Sequence, residues 1–386
     1  MQQVLGRLDA NRDVAAADMV CKAWRALKTP YPALRKYDTI NVSTLNWIKA
    51  NRNRVMSFAF NLSSKKAVQR STIGSELLLL GLGSCPALSS LTINELQQLP
   101  QSITQLSKLP HLLVASCQSL FYSLPEQELS GLQSLTLLEF RACSTSYGCR
   151  LPAGLSELTS LQVLSTSRYR LPPALPASNS FTHICIEESH EPLPGQLWRQ
   201  PLLVQLRLHK VYELKEIPDT LELPNLQELC IDSCWSLASL PANLWQALGG
   251  SLRKLQLMRL SKLAALPPGM THTAGCARAT ARHPASCASI PAGAWPPCQP
   301  PWQAIGGSLR KLQLMRLTKL AALPPGMASL QQLRYLEVDG CELLAELPGC
   351  LVGCTQLRQL VLQSCKALAA LPAGLEAMPS LKQATI

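Results

Sequence analysis

The chain has 386 residues, and its 47% apolar content is carried by aliphatic side chains, because aromatic residues make up only 5%. The formal net charge of +12 is uneven: residues 1–70 hold 13 Lys/Arg against 4 Asp/Glu, whereas residues 71–386 hold 23 against 20. No run of roughly 18 apolar residues and no uninterrupted secretory h-region is present, so we expect neither a membrane span nor a cleaved signal. We therefore expect a cytoplasmic protein, with the nucleus and the cytoskeleton or ciliary axoneme as alternatives, whose 15 cysteines are reduced.

The N-terminal segment carries two short apolar helix patterns, the second of which Asp13 is placed to cap. The LGRL end of the first pattern and the VCKAWR sequence at residues 20–25 resemble the second half of an F-box. The Leu-Pro and apolar turn that usually open an F-box do not precede LGRL, so we interpret residues 1–40 as an N-terminally truncated, helical F-box-like segment. The resemblance implies that a Skp-type adaptor contacts Val4, Leu5, Leu8, Val20, Cys21 and Trp24.

The excess positive charge belongs to this same segment. A basic segment of this size suits an acidic protein, an anionic membrane surface or a phosphate backbone, and charge alone does not choose among them. Basic side chains interleaved with aromatic rings, which an RNA-binding surface needs, are absent farther along the chain, so we expect no nucleic-acid partner. The stretch from Thr44 to Arg54 predicts a short helix before the first repeat.

A repeat of the form LxxLxLxx(C/L), followed by a Leu-Pro step, covers residues 41–386. Its xLxL part has period two and predicts a short strand with apolar side chains on one face. One such unit cannot bury its own apolar face, so the units stack into a continuous parallel sheet. A possible extra unit begins at Leu88, and the other units begin at Val55, Leu77, Leu109, Leu135, Leu161, Phe181, Leu203, Leu226, Leu252, Leu309, Leu333 and Leu357, with a partial one at Leu381.

Cysteine recurs at the ninth position of the pattern. We expect these thiols to point into the turn and meet neighbouring backbone groups as small buried side chains. The set assigned to this position is Cys85, Cys117, Cys143, Cys234, Cys341 and Cys365.

The LxxLxLxxC…LxxLP form resembles the plant-type leucine-rich repeats of disease-resistance proteins and Ras-pathway scaffold proteins. That resemblance implies an α/β solenoid, a horseshoe with a parallel β-sheet on its concave face, which binds proteins there. It does not identify the bound protein.

One repeat is nearly duplicated. Residues 245–270 recur at 302–327 with two differences, Leu248/Ile305 and Ser261/Thr318, and the intervening residues 271–301 show no repeat pattern. Since this insert is rich in Ala and Pro and lacks Leu, we predict an irregular, disordered loop, with a gene-model artefact such as translated intron as the alternative. It holds His272, Cys276, His283, Cys287 and Cys298, which are suitable zinc donors at a spacing that fits no finger, so we predict no metal and no cofactor.

Nothing in the sequence indicates catalysis, and we expect a binding protein with neither an active site nor a small-molecule substrate. His183 and Cys185 with Glu187 and Glu188 suggest a nucleophile and base, but His183 and Cys185 lie on one alternating face of a predicted strand, which favours solvated surface. Outward strand positions form the candidate binding face, basic in the middle and acidic towards the end. Its predicted partner-binding residues are His183, Glu187, Arg207, His209, Lys210, Lys254, Arg259, Lys311, Arg316, Tyr335, Glu337 and Asp339.

Two functions fit this organisation. The first is the substrate-recognition subunit of an SCF-type ubiquitin ligase, which binds a Skp-type adaptor and an unknown protein substrate. The second is a leucine-rich-repeat scaffold or recognition protein, immune, signalling or cytoskeletal, without ubiquitin coupling.

Overall fold

The computed structural model describes residues 34–37, 42–61, 79–94, 101–115, 129–141, 149–151, 153–172, 175, 180–248, 250–267 and 305–385. The chain divides into two compact units, Met1–Phe181 and Thr182–Ile386, which we call unit 1 and unit 2. The residues predicted to contact an adaptor, the five candidate zinc donors and the insert at 271–301 lie outside the described residues.

Unit 1 contains a parallel sheet whose strands pair in chain order. The strands are β1 (Leu34–Tyr37), β2 (Ser57–Asn61), β3 (Ser90–Asn94), β4 (His111–Ala115), β5 (Leu137–Arg141) and β7 (Val163–Ser167). Two further short strands, β6 (Cys149–Arg150) and β8 (Tyr169–Arg170), pair with each other. The connections include helix α1 (Val42–Asn51), which confirms the predicted helix, and 3-10 helices at Gln101–Gln105 and Ala153–Glu157.

Unit 2 repeats the same arrangement more regularly. Its parallel strands are β9 (His183–Ser189), β10 (Gln205–Val211), β11 (Glu228–Asp232), β12 (Lys254–Met258), β13 (Lys311–Met315), β14 (Tyr335–Asp339), β15 (Gln359–Gln363) and β16 (Gln383–Thr385). Helix α2 (Leu244–Ala247) and 3-10 helices at Gly195–Trp198, Pro325–Ser329 and Gly349–Gly353 form the return segments.

The register stacks equivalent leucines in layers. Leu206 lies opposite Leu229, and Leu229 lies opposite Leu255, each with at most 3% of its surface exposed. Each buried leucine removes apolar surface from water, which stabilises the fold by roughly 25 cal/mol per Å². Strands of the LxxLxL pattern, stacked in parallel with their apolar positions in register, confirm the leucine-rich-repeat solenoid expected from the sequence.

One predicted repeat start is wrong. Residues 79–83 are helical, and the strand of this region is β3, which belongs to the unit that begins at Leu88. Cys85 is therefore not at the ninth position of a repeat; its Sγ lies 3.8 Å from the carbonyl oxygen of Gly81 at the end of the helix. Farther towards the N-terminus, β1 falls inside the range 1–40 assigned to the helical segment and pairs with β2.

A residue with left-handed backbone conformation follows the outward strand positions in most repeats. In most repeats this residue directly follows the strand, whereas Glu188 and Lys210 lie inside β9 and β10. A left-handed conformation is uncommon for residues with a Cβ atom. Gly340 occupies this position with φ 63°, and the non-glycine examples, with φ between 52° and 64°, are Arg168, Glu188, Lys210, Ser233, Arg259, Arg316 and Ser364.

Of the ninth-position cysteines that the structure describes, Cys234 and Cys341 are buried as predicted, and Cys365 is partly buried. Cys234 lies 3.5 Å from the carbonyl oxygen of Asp232, and Cys341 lies 3.7 Å from that of Leu314. Cys365 contacts the carbonyl oxygen of Val338 at 3.6 Å. Each thiol thus fills the turn and meets backbone from its own or a neighbouring repeat.

The two copies of the duplicated segment are adjacent. Strands β12 and β13 pair in parallel with Lys254 opposite Lys311 and Met258 opposite Met315, so like residues face one another. In the first copy, Trp245 is fully buried and its Nε1 donates to the carbonyl oxygen of Pro267 at 3.3 Å. The residues between the copies therefore leave the register of the sheet unchanged.

Candidate binding face of unit 2

The side chains that alternate with the buried leucines on β9 to β15 form one solvent-facing surface, which we call the strand face. All twelve residues predicted to bind a partner lie on it or at its border. Nine of them occupy outward strand positions; Lys210 is a left-handed residue inside β10, and Arg259 and Arg316 are left-handed residues directly after β12 and β13. Period-two alternation accounts for this placement, since inward positions are taken by Leu, Ile and Val.

Asp232 is the centre of the strongest ion-pair cluster on the strand face. Its side chain is 11% exposed, and its Oδ1 accepts hydrogen bonds from Arg259 Nε at 2.8 Å and from the Ser233 hydroxyl at 3.1 Å. Arg259 Nη2 also donates to Oδ2, so the guanidinium binds the carboxylate in a bidentate manner. His209 Nε2 lies 3.7 Å from the same Oδ2. Three repeats are thereby connected through one carboxylate.

Two further glutamates form ion pairs with basic side chains that the sequence analysis had assigned to the partner-binding surface. Glu228 Oε2 lies 3.8 Å from Arg207 Nη2 and 3.6 Å from Lys254 Nζ. Glu188 Oε1 lies 2.5 Å from Lys210 Nζ. The middle of the strand face is therefore charge-paired rather than a simple basic patch.

A chain of amide and carboxylate contacts crosses the next repeats. Gln256 Nε2 donates to Gln313 Oε1 at 2.6 Å, and Gln313 Nε2 donates to Glu337 Oε2. The Tyr335 hydroxyl donates to the same Glu337 oxygen at 3.0 Å, and burial together with this hydrogen bond raises the pKa of Tyr335. Lys311 Nζ lies 4.5 Å from the centre of the Tyr335 ring, a cation–π arrangement.

Other predicted partner-binding residues have polar groups that are available to bind a ligand. Within the described part of the chain, the side chains of Glu187, Arg316 and Asp339 have neither an ion-pair partner nor a side-chain hydrogen bond. The Nδ1 of His183 lies 2.9 Å from the hydroxyl of the neighbouring Thr182. These groups can bind a ligand without first breaking a contact inside the protein.

Three aromatic rings border the strand face at equivalent positions of successive repeats. His190 stacks on Tyr212 with ring centres 4.2 Å apart, and Tyr212 meets Trp235 edge to face at 5.5 Å. Trp235 is 47% exposed. We call His190, Tyr212 and Trp235 the aromatic edge.

Three thiols of unit 2, those of Cys230, Cys234 and Cys341, are poor nucleophiles. Burial raises the pKa of Cys230 to about 11 and the pKa values of Cys234 and Cys341 to about 12, so each thiol stays protonated near neutral pH. Across the described ranges no cluster of three His, Cys, Asp or Glu side chains has metal-binding geometry. No helix in those ranges is long and apolar enough to cross a membrane. The face offers binding groups in preference to reactive ones.

Sequence reasoning missed the acids Glu228 and Asp232 and the aromatic edge, and it did not place Glu188 among the partner-binding residues. Asp232 and Glu228 occupy outward strand positions, so the alternation that found Arg207 and His209 was available for them as well. Aligning the repeats on β9, β10 and β11 places His190, Tyr212 and Trp235 at one repeat position, so the sequence alone could have revealed the aromatic edge.

No family model and no curated protein matches the sequence. Among solved structures, the chain is similar to the leucine-rich-repeat domain of the type III effector XopL, with 20% identity over 81% of this chain and 82% of that one and a TM-score of 0.38. It is similar to a leucine-rich-repeat protein of Leptospira interrogans, with 16% identity over 90% and 92% and a TM-score of 0.40. It is also similar to one of Bacteroides eggerthii, with 11% identity over 95% and 63% and a TM-score of 0.49. Identities this low are compatible with unrelated ligands.

Proposed function

We propose that the strand face of unit 2 and its aromatic edge bind a protein partner. The observation that carries this proposal is the exposure of Trp235, held by Tyr212 on one side of a face whose ion pairs are already organised. Tryptophan, tyrosine and arginine dominate the binding energy of protein interfaces when they are rigid and flanked by polar groups. A surface with few free rotamers also loses less entropy on binding.

Alanine substitution at the aromatic edge tests this proposal. We expect Trp235→Ala to abolish co-purification of the partners that the unsubstituted chain captures from its own cells. Leu202→Ala is the matched control, because Leu202 is 51% exposed and lies in a turn away from the aromatic edge. Partners that survive Trp235→Ala, or that are lost equally with Leu202→Ala, would contradict a binding role for this edge.

We further propose that residues 1–40 dock on a Skp-type adaptor, which makes the chain the substrate-recognition subunit of an SCF-type ubiquitin ligase in the cytoplasm. The LGRL and VCKAWR sequences support this proposal, together with the repeats that follow them. Such a subunit performs no chemistry itself; it raises the effective concentration of the substrate near a conjugating enzyme supplied by other subunits.

Co-purification with the Skp adaptor tests the ligase proposal. The chain, and the chain extended by its upstream codons, should capture the adaptor, and Trp24→Ala should abolish capture. Failure of both forms to bind the adaptor would favour the second candidate, a scaffold or recognition protein without ubiquitin coupling. Capture through the strand face is expected in either case, because it depends on unit 2 alone.

A further inference from the structure

Unit 2 carries a column of basic residues just before its last five strands. Each member follows the first Leu of its repeat and directly precedes β12, β13, β14, β15 or β16. The corresponding residues before β9, β10 and β11 are uncharged, namely Thr182, Val204 and Gln227. We call this set the basic column; it consists of Arg253, Arg310, Arg334, Arg358 and Lys382.

Backbone hydrogen bonds fix the spacing of the basic column. The N–H of Arg310 donates to the carbonyl oxygen of Arg253 at 2.8 Å, and the N–H groups of Arg334, Arg358 and Lys382 repeat this contact at 2.8–2.9 Å. Neighbouring strands lie about 4.8 Å apart, so the five Cα atoms follow a line of about 19 Å. The cations are thereby held in a row by the sheet itself.

These charges are not neutralised within the part of the chain that the structure describes. All five side chains are exposed, and none has an ion pair or a side-chain hydrogen bond there. The segments that lead into β12 to β15, residues 248–253, 305–310, 330–334 and 354–358, contain no Asp or Glu. Like charges directly opposite one another on neighbouring strands destabilise a sheet. An anionic partner removes that repulsion when it binds.

We propose that the basic column binds an acidic α-helix of a protein partner, laid across the strands with one carboxylate on each turn. Four helical turns advance about 22 Å, which matches the column within the reach of long Arg and Lys side chains. Carboxylates on one face of an extended chain advance about 27 Å over four steps and fall out of register. The inference rests on the proposed protein-binding role of unit 2 and adds the chemistry of the partner.

The surroundings of the basic column favour a protein over a nucleic acid. Single-stranded nucleic acids bind where aromatic rings are free to stack on bases. The strand residues next to the column are Lys254, Lys311, Tyr335, Gln359 and Gln383, and Tyr335 is the one ring among them. Lys311 covers the face of that ring.

A designed helical peptide provides a direct probe. We would use a labelled Ala/Glu peptide of about 20 residues, with Glu at i, i+3, i+4 and i+7 on one face, and an isomer with the same Glu content distributed around the helix. Fluorescence anisotropy with the full chain should show the one-faced peptide binding about tenfold more tightly than the isomer, and binding that weakens as salt is raised.

Charge-reversal variants locate the binding site. Arg310→Glu combined with Arg334→Glu should weaken binding of the one-faced peptide at least about tenfold. Lys262→Glu combined with Lys319→Glu changes the net charge by the same amount at exposed turn positions and should leave affinity within about twofold. Circular dichroism will show whether the charge-reversed variant is folded. If it is not, the double variant Arg310→Ala and Arg334→Ala replaces it in the binding measurement.

Three results would overturn the inference. They are equal loss with both charge-reversed variants, equal affinity for the two peptides, and tighter binding of a single-stranded oligonucleotide of equal charge with the same dependence on Arg310 and Arg334. Any of these leaves the proposed function intact if Trp235→Ala still removes the cellular partner. Conversely, the one-faced peptide could bind the basic column although Trp235→Ala leaves every cellular partner bound. That result would contradict the proposed role of the aromatic edge and support the basic column as a separate binding site.

Discussion

Asp232 accepts hydrogen bonds from Arg259 and Ser233 while its side chain is only 11% exposed, so its removal leaves a cation without its partner. We expect Asp232→Asn to lower the free energy of unfolding by about 1–2 kcal/mol, because Arg259 is partly solvated and retains water contacts. Urea denaturation followed by circular dichroism measures the change.

Glu342→Gln is the matched control for that substitution. Glu342 pairs with Lys366 at 3.0 Å, but both side chains are at least 50% exposed. We expect a loss of no more than about 0.5 kcal/mol, since solvent screens an exposed ion pair. Equal losses for the two variants would show that burial of Asp232 adds nothing to its ion pair.

The buried thiols of Cys234 and Cys341 give a second prediction at this scale. Their pKa values are raised from 9.0 to about 12 by burial, so iodoacetamide at pH 8 should leave both unmodified in the native chain and modify both in urea. Mass spectrometry of peptides resolves each site. Rapid alkylation of either thiol in the native chain would contradict the burial of that turn.

The same thiols predict a loss of stability in alkali. A group whose folded-state pKa is raised contributes fully below its unfolded value and loses that contribution as pH rises towards the folded value. For Cys234 and Cys341 the window runs from about 9 to about 12. We expect the free energy of unfolding to fall across this window, and Cys234→Ala to make the fall shallower.

At the scale of the element, two adjacent glycines before β13 differ in what surrounds them. A Cβ atom at Gly306 would lie 2.0 Å from the carbonyl oxygen of Ser329, whereas a Cβ atom at Gly307 meets nothing within 4 Å. We expect Gly306→Ala to destabilise unit 2 by about 1–3 kcal/mol, because backbone of the next repeat must move.

Gly307→Ala serves as the control for this prediction. It should change stability by no more than about 1 kcal/mol and in the stabilising direction, since alanine reduces the freedom of the unfolded chain. Thermal denaturation of the two variants decides the matter. A larger loss for Gly307→Ala than for Gly306→Ala would show that the two return segments are not packed as described.

The strands illustrate how far the sequence predicts the fold. Where one aliphatic residue stands at each pattern position, as with Leu333, Leu336 and Val338, period two locates β14 without ambiguity. The run of four leucines from Leu77 to Leu80 fits several registers, and the sequence prediction chose a strand where the structure has a helix. Local pattern cannot resolve such a run, because the choice depends on pairing with the neighbouring strand.

The strand face shows a different limit. Alternation predicted the placement of nine of the twelve residues, because the side-chain direction on a strand is a local property, whereas Lys210, Arg259 and Arg316 reach the border of the face through their left-handed backbone. Their partners were not predicted: Asp232 and Arg259 are 27 residues apart and meet only because β11 and β12 pair in a fixed register. Cross-repeat contacts of this kind are a property of stacking, which a single repeat does not reveal.

For the whole chain, the duplicated segment allows a clean deletion. Removing residues 254–310 joins Arg253 to Lys311 and restores an uninterrupted repeat, since residues 311–317 match 254–260 exactly. The new neighbour of β11 has the sequence of the present one, so we expect cooperative unfolding with a lower free energy, because one repeat interface is lost. Urea denaturation followed by far-ultraviolet circular dichroism measures the cooperativity and the free energy of unfolding.

A deletion that is one residue shorter, 254–309, is the control. It leaves an extra residue between Leu252 and the strand, which forces a bulge or displaces Leu252 from its buried layer. We expect it to be less stable than the exact deletion. If the two deletions unfold alike, register in this part of unit 2 is not set by the leucine layers.

The adjacency of the two copies also has an evolutionary consequence. Because β12 and β13 pair in register, copying this segment added one strand and one member of the basic column, Arg310, without altering the strands on either side. Evolution can therefore lengthen or shorten the basic column by one positive charge each time a copy of the repeat is gained or lost. The spacing between neighbouring charges is fixed by the pairing of the strands. The number of repeat copies then sets the length of the acidic ligand that the protein binds.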